Sequence, residues 1–126
     1  LASQDEVLRA GACACLEAAT VKRMDVGAKL GVLRMLGLPQ ACAERLATLQ
    51  AQAQGAEALE EAADVVQLAG CVACELLECH RHAAKPAMIV PDDGGDVTKG
   101  ALPAAGEVAA RRAWADQQLD ALAPLV

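Results

Sequence analysis

Alanine dominates this chain: thirty of the 126 residues are Ala, and Trp114 is the only aromatic side chain, with no Phe and no Tyr. Alanine has the highest helix propensity, whereas the β-branched and aromatic residues that favour strands are scarce here. Alanine also buries little apolar area, and burial stabilises a core by roughly 25 cal/mol per Å². The composition therefore predicts an all-α fold of closely packed helices around a thin core.

Apolar periodicity divides the chain into five helical stretches. Apolar residues recur at spacings of three and four, while Gly, Pro and capping residues separate the stretches. The predicted helices cover residues 4–23, 26–37, 40–54, 57–83 and 107–123. Asp25 is placed to cap the second helix, and Gly37 and Pro39 interrupt the chain after it.

The same periodicity predicts one apolar face on each helix. On the first helix this face comprises Val7, Leu8, Gly11, Ala12, Cys15, Leu16 and Ala19. On the second and third it comprises Leu30, Leu33, Leu36, Cys42, Leu46, Leu49 and Ala53. On the fourth it comprises Val65, Leu68, Val72, Leu76 and Cys79, with most of Glu60, Glu61, Asp64, Glu75 and Glu78 on the other side.

Residues 85–106 have a different character from the rest of the chain. This stretch contains residues typical of turns and loops, namely Pro86, Pro91, Pro103 and the run Asp92–Gly95. An irregular connection of about twenty residues is uncommon inside a compact domain, so we expect a flexible surface insertion. Both ends of the chain also have the character of cuts through a continuing helical structure.

The charge balance and the cysteines restrict the class of protein. A net charge of −6 does not suggest a free-standing nucleic-acid binder, which usually has a basic face. No run approaches the roughly 20 apolar residues of a membrane span, and the first residues do not form a signal peptide. The six cysteines lie inside helical patterns, which favours reduced thiols in the cytosol or nucleus.

A cluster of metal-ligand residue types occurs near the end of the fourth helix. It comprises Cys71, Cys74, Cys79, His80 and His82. On one unbroken helix, the eleven residues from Cys71 to His82 would rise about 16 Å. A single tetrahedral zinc ion, with bonds of about 2.0–2.3 Å, cannot span that distance. We therefore expect small core thiols and no metal, with a zinc-binding helical module as the remaining alternative.

No arrangement of residues suggests catalysis. The only histidines, His80 and His82, lie near a helix end, and the carboxylates are spread along helix faces as solvated charges usually are. The chain contains neither a phosphate-binding loop nor a dinucleotide-binding glycine motif. The sequence therefore predicts no enzyme activity, no cofactor and no small-molecule substrate.

Four basic residues gather around the first interhelix turn and the second helix. They are Lys22, Arg23, Lys29 and Arg34. On a curved helical surface, such a group can contact phosphates or an acidic protein. The alternative is that they are ordinary solvated charges at helix ends.

Several short motifs resemble those of nuclear export receptors for tRNA, in the importin-β-like karyopherin family. The first helix contains Asp5-x-x-Leu8-Arg9-x-x-Ala12-Cys13-x-Cys15-Leu16, similar to the second helix of a HEAT repeat. Ala12–Leu16 is followed by Val21-Lys22-Arg23-Met24-Asp25 and then Lys29-Leu30, as in that family. The run Glu75–Arg81 is similar to a helix ending of the plant members, and Leu119–Pro124 to the start of the next helix.

The resemblance covers residues 5–38 and 65–82 well, the final helix weakly and residues 85–106 not at all. Two departures stand out: Val26 follows Asp25 where the family usually has Pro, and Ala replaces many larger residues. No single motif is diagnostic, but their order and spacing together are fairly specific.

The resemblance implies an α-solenoid of antiparallel helix pairs, of the HEAT or armadillo-like kind, and a fragment of a larger superhelix. Repeats of this kind run about 40–47 residues. It further implies binding of tRNA together with Ran-GTP, possible contact with nucleoporins, and shuttling between nucleus and cytoplasm. Lys22, Arg23, Lys29 and Arg34 are then candidates to face tRNA or Ran. The alternative is a generic HEAT or armadillo scaffold for protein–protein interaction, such as another importin-β-like transport receptor or an adaptor.

Overall fold

Five helices account for most of the chain in the computed structural model, which describes residues 6–52, 56–89, 95–96 and 98–123. They are α1 (Glu6–Val21), α2 (Val26–Leu36), α3 (Leu38–Gln52), α4 (Ala56–Arg81) and α5 (Ala105–Leu122). The all-helical prediction is therefore confirmed, with helix ends within a few residues of those expected. The predicted ends at residues 4–5 and 53–54, and the buried position predicted for Ala53, lie outside the described residues.

A short β-hairpin lies between α4 and α5, where the composition predicted only irregular loop. Strand β1 (Met88–Ile89) pairs antiparallel with β2 (Thr98–Lys99), and Met88 lies opposite Lys99. A β-branched residue on each strand, Ile89 and Thr98, favours this pairing. The flexibility predicted for residues 85–106 stays a prediction, since 90–94 and 97 lie outside the described residues.

The junction between α2 and α3 follows the local sequence. The Asp25 carboxylate accepts a hydrogen bond of 2.8 Å from the Ala28 N–H, which confirms the predicted cap of α2. Gly37 has φ 57°, a left-handed conformation that favours glycine, and its N–H donates to the Arg34 carbonyl at 3.0 Å. Helix α3 starts at the next residue, with Pro39 in its first turn.

Helix α4 is the centre of the packing and contacts α1, α3 and α5. Its predicted apolar face is confirmed: Leu68, Val72 and Leu76 are fully buried, and Val65 and Cys79 nearly so. Leu33 of α2 and Cys42 of α3 complete the middle of the core. The core is thus made by one long helix that α1, α3 and α5 cover, with a smaller contribution from α2.

Polar contacts fix the direction of the helices around α4. Arg9 of α1 pairs with Glu61, and Glu17, further along α1, accepts a hydrogen bond from Gln67, further along α4. Helices α1 and α4 therefore run parallel, side by side. Helix α5 runs the opposite way, because Arg111 contacts the Ala83 carbonyl while the later Asp116 contacts the earlier His80.

Helix α3 runs antiparallel to α4, since only residues 53–55 connect the two and they pack together. Helices α3 and α5 also contact each other. Helices α1 and α4 thus pack as one pair, and α3 and α5, which both contact α4, pack against each other. Stacking of such pairs into a solenoid remains a prediction.

The apolar face predicted for α1 is confirmed only in part: Leu16 packs against the core, but more than half of the predicted residues are exposed. Val7 and Leu8 are 82% and 61% exposed, and Gly11 and Cys15 are also exposed. The side that meets α4 instead carries Cys13 and Thr20, both buried. Two apolar surfaces are possible on so alanine-rich a helix, and the polar contacts of α1 with α4 select between them. Leu36, predicted to be buried on α2, is likewise 41% exposed.

Candidate functional site

Lys29 is a buried lysine at the meeting point of three helices. It belongs to α2, and only 5% of the residue is exposed. Its Nζ donates to the Thr20 carbonyl, to the Lys22 carbonyl at 2.7 Å, and to the Glu75 carboxylate of α4 at 3.1 Å. The three donors of the ammonium group thus find three acceptors, as burial of a charge requires.

The Lys29 ammonium group caps the C-terminal end of α1. The last carbonyls of a helix have no partner within the helix, and the C-terminal end of its dipole favours a cation. Lys29 supplies that cation from the neighbouring helix. Lys29 was a candidate to face tRNA or Ran, but its ammonium group is buried and occupied by these three acceptors. It is a structural group in this conformation.

Lys22 and Arg23 lie next to this contact, in the connection between α1 and α2. Both side chains are exposed. They form part of the wall of a cavity of about 460 Å³ between α1, α2 and α4, hereafter the junction cavity. Its other lining residues are Val21, Met24, Val26, Lys29, Glu75, Glu78, Cys79 and His82. The structure therefore brings three of the four predicted basic residues to one cavity.

Arg34, the fourth candidate, lies elsewhere. Its guanidinium carbon sits 4.7 Å from the centre of the Trp114 ring, a cation–π contact between α2 and α5. It lines two smaller cavities, beside Gly37 and beside Arg111, and not the junction cavity. The predicted basic cluster is thus divided between two surfaces.

A second buried ionic group connects α1, α3 and α4, and the sequence interpretation missed it. Glu61 is only 9% exposed, although it was expected on the solvent side of α4. Its Oε1 accepts from Arg45 Nε of α3 at 2.7 Å and lies 3.8 Å from Arg9 Nε of α1. A signal was present in the sequence, because Glu61 precedes Val65 by four residues on the apolar face.

The same signal applies to Lys29, which precedes Leu33 by four residues on the buried face of α2. A charged residue in register with a core stripe is a candidate for a buried ion pair, since a buried charge needs a partner. The partners themselves, Glu75 and Arg45, come from other helices and carry no local signal.

The cysteines behave as core residues or as simple surface thiols. Burial raises the pKa of Cys42 and of Cys79 to about 11 in each case, and it also raises the pKa of Cys13. Cys15 and Cys74 are exposed. All six thiols are free. A raised pKa lowers the thiolate fraction, so the buried thiols are poor nucleophiles.

The residues considered for zinc lie along one continuous helix and the turn after it. His80 Nε2 is 3.3 Å from Asp116 Oδ1, and His82 Nε2 is 3.1 Å from Glu78 Oε2. The two histidines thus contact carboxylates of two different helices, α5 and α4. Across the described residues, no three His, Cys, Asp or Glu side chains converge as a metal site would require.

Comparison with protein-family models, with curated proteins and with solved structures finds no match to this chain. The resemblance to tRNA export receptors therefore rests on the motifs quoted above. In the described part of the chain, none of the helices combines the length and apolar character of a membrane span.

Proposed function

We propose that this chain is a segment of an α-solenoid scaffold, of the HEAT or armadillo-like kind, which holds macromolecular partners on stacked helices. The observation that carries the proposal is the parallel pair α1 and α4, whose outer edges are both apolar. In a solenoid, helices of one layer run parallel to their lateral neighbours, and each repeat buries its faces against the next.

The α1 edge carries no charged or polar side chain among its described exposed residues. Those residues are Val7, Leu8, Ala10, Gly11, Ala14, Cys15, Ala18 and Val21. A helix exposed to water normally places charged and polar residues on its outer face. An uncharged outer face of small residues instead suits close approach of another helix.

The α4 edge is an apolar stripe on α4 itself. Val66 and Leu77 are 39% and 57% exposed, and Gly70 and Ala73 lie between them on the same stripe. Around the helix axis, the members of this stripe are turned roughly 60–120° from Gln67, which contacts α1. Each helix of the α1–α4 pair therefore has an apolar exposed surface, as expected of an internal repeat, whereas a terminal repeat has a polar outer face.

Association of the isolated chain tests the stacking proposal. Exposed apolar edges should bind the dye ANS and cause concentration-dependent association, which light scattering after gel filtration would measure. Ala14→Glu places a charge in the middle of the α1 edge and should reduce both signals. Ala113→Glu, at an exposed alanine of α5, is the matched control and should leave them unchanged.

Two results would count against stacking edges. One is a chain that stays monomeric at high concentration and binds no ANS. The other is an equal effect of Ala14→Glu and Ala113→Glu, since the α1 edge would then have no special role.

The more specific candidate is a segment of a tRNA export receptor that binds tRNA together with Ran-GTP and shuttles between nucleus and cytoplasm. The order and spacing of the quoted motifs favour it. So do Lys22 and Arg23, which are exposed and form no ion pair among the described residues. A curved helical surface suits a large RNA that is recognised by shape and backbone.

The specific candidate is tested on the protein encoded by the whole reading frame that contains this segment. Labelled tRNA should bind only when Ran-GTP is present, and Lys22→Glu with Arg23→Glu should weaken that binding. Binding of tRNA that does not depend on Ran-GTP would contradict the export-receptor proposal. It would leave the stacking proposal unaffected, because that proposal depends only on the two apolar edges.

A further inference from the structure

The junction cavity is lined on one side by Lys29 and the groups that accept its hydrogen bonds. The Lys29 ammonium holds the Lys22 carbonyl at 2.7 Å and the Glu75 carboxylate at 3.1 Å. It thereby fixes α1, α2 and α4 relative to one another. A volume of about 460 Å³ lies in the range of ligand-binding cavities, roughly 300–1,000 Å³. Because Lys29 holds the elements that line the cavity, less entropy is lost when a ligand binds there.

One wall of the junction cavity is apolar and lies next to two exposed cations. Val21, Met24 and Val26 provide apolar surface between α1 and α2. Lys22 and Arg23 lie beside them, exposed and without an ion-pair partner among the described residues. An apolar wall beside positive charge fits a ligand with an apolar group beside a negative one.

The lining carries a local positive charge on an acidic protein. The lining has three cationic side chains, Lys22, Arg23 and Lys29, and two carboxylates, Glu75 and Glu78, so one positive charge remains without counting His82. Glu75 is occupied by Lys29, and Glu78 pairs with His82 at 3.1 Å and with Arg81 at 3.8 Å. The two carboxylates thus leave Lys22 and Arg23 available to an external anion.

We propose that the junction cavity binds an acidic segment of a partner protein in which Asp or Glu alternates with an aliphatic residue. Carboxylates of the segment pair with Lys22 and Arg23, and an aliphatic side chain packs against Val21, Met24 and Val26. The described lining residues include no Phe, Tyr or Trp on which a nucleobase could stack, and the one imidazole, that of His82, contacts Glu78 at 3.1 Å. A peptide therefore fits the cavity better than RNA does.

This inference goes beyond the scaffold proposal and does not depend on stacking, although Val21 belongs both to the α1 edge and to the cavity wall. It names a partner-binding point at the junction of α1, α2 and α4, and Ala14→Glu changes none of the residues that form this point. It does compete with the tRNA proposal for the same two cations, and the experiment separates the two.

Fluorescence anisotropy of short labelled peptides on the 126-residue chain tests the proposal. The probe alternates Asp with Leu; one comparison peptide alternates Asp with Ser, another Lys with Leu, and a single-stranded RNA oligonucleotide is the fourth ligand. We expect saturable binding of the Asp-Leu probe, at least about tenfold tighter than of the other three ligands, since both the charge and the apolar contact contribute.

Two variants locate the binding. Lys22→Glu with Arg23→Glu should weaken the Asp-Leu probe about tenfold or more. The matched control, Lys85→Glu with Lys99→Glu, makes the same change in net charge at two exposed lysines outside the cavity lining and should have little effect. Val26→Asp tests whether the apolar wall contributes to binding of the Asp-Leu probe. This variant is compatible with folding because an acidic residue suits the first turn of α2.

Several outcomes would overturn the proposal. Equal affinity for the Asp-Leu and Asp-Ser peptides would mean general attraction of anions without use of the walls. Tighter binding of RNA than of the probe would assign the two cations to nucleic acid. No saturable binding of the probe, or loss of binding in the Lys85/Lys99 control to the same extent, would also refute it. Circular dichroism of each variant checks that it is folded.

Discussion

The Nζ atom of Lys29 lies 3.1 Å from Oε2 of Glu75, and this ion pair joins α2 to α4 where α1 ends. The same ammonium group holds the Thr20 and Lys22 carbonyls, so one side chain connects three helices. Because Lys29 is buried, its ammonium charge is stabilised only by these acceptors, and the acceptors lose their partner if the charge is removed.

Replacing Lys29 should destabilise the fold substantially. In Lys29→Met the apolar stem is kept, but the α1 carbonyls and Glu75 lose their cation. We expect a loss of about 3 kcal/mol in the free energy of unfolding, typical of breaking one partner of a buried pair. Urea unfolding followed by circular dichroism measures it. The exposed Lys22→Met should change stability by less than about 0.5 kcal/mol, and equal effects of the two would contradict the structural role.

Removing Glu61 should have a comparable effect at the other end of α1. Glu61→Ala deletes the carboxylate that Arg45 and Arg9 both contact. We expect about 2–4 kcal/mol of destabilisation in the same urea experiment, since two largely buried guanidinium groups lose it. The exposed Glu44→Ala is the control, with an expected change below about 0.5 kcal/mol. A double-mutant cycle with Arg45→Ala should give a coupling of about 1–3 kcal/mol, and additive effects would show that the pair is not coupled.

The thiols should separate into two classes of reactivity. Cys15 and Cys74 are exposed and should be alkylated rapidly by iodoacetamide under native conditions. Cys42 and Cys79 are buried, and their raised pKa further lowers the reactive thiolate fraction, so they should react only after unfolding. Peptide mapping by mass spectrometry gives each rate. Rapid modification of Cys42 in the folded chain would contradict the packing of α3 against α4.

Stability should fall at alkaline pH because of the buried thiols. The pKa of Cys42 is raised from 9.0 to about 11 by burial, so the folded state keeps a proton that the unfolded state releases. This contribution is fully present below pH 9 and is lost as pH rises from about 9 to about 11, an effect of roughly 1–3 kcal/mol. Unfolding at a series of pH values measures it. Cys42→Val should show a smaller fall, and an unchanged pH dependence would refute this origin.

The helices themselves were largely predictable from the sequence. High alanine content and spacings of three and four are local properties, so the five helices and the buried stripe Val65, Leu68 and Val72 followed directly. The Asp25 cap and the break at Gly37 were also local. The β1–β2 pair was missed because two-residue strands give almost no periodic signal.

The candidate site was predicted only in part. Lys22 and Arg23 were identified from charge, and the structure places both at the junction cavity. Lys29 and Arg34 looked equivalent to them in sequence, yet one is buried against Glu75 and the other lies on Trp114. The partners that make this difference are distant in the chain, at separations that no local pattern encodes.

The sequence by itself determined the all-helical character, because alanine-rich periodic segments fold into helices through local backbone preferences. Tertiary structure alone decided which side of α1 faces α4, and hence which side is exposed. On a helix with small apolar residues on nearly every side, hydrophobicity does not choose a face. Specific contacts choose it, here Arg9 with Glu61 and Glu17 with Gln67, and they leave Val7 and Leu8 at the surface.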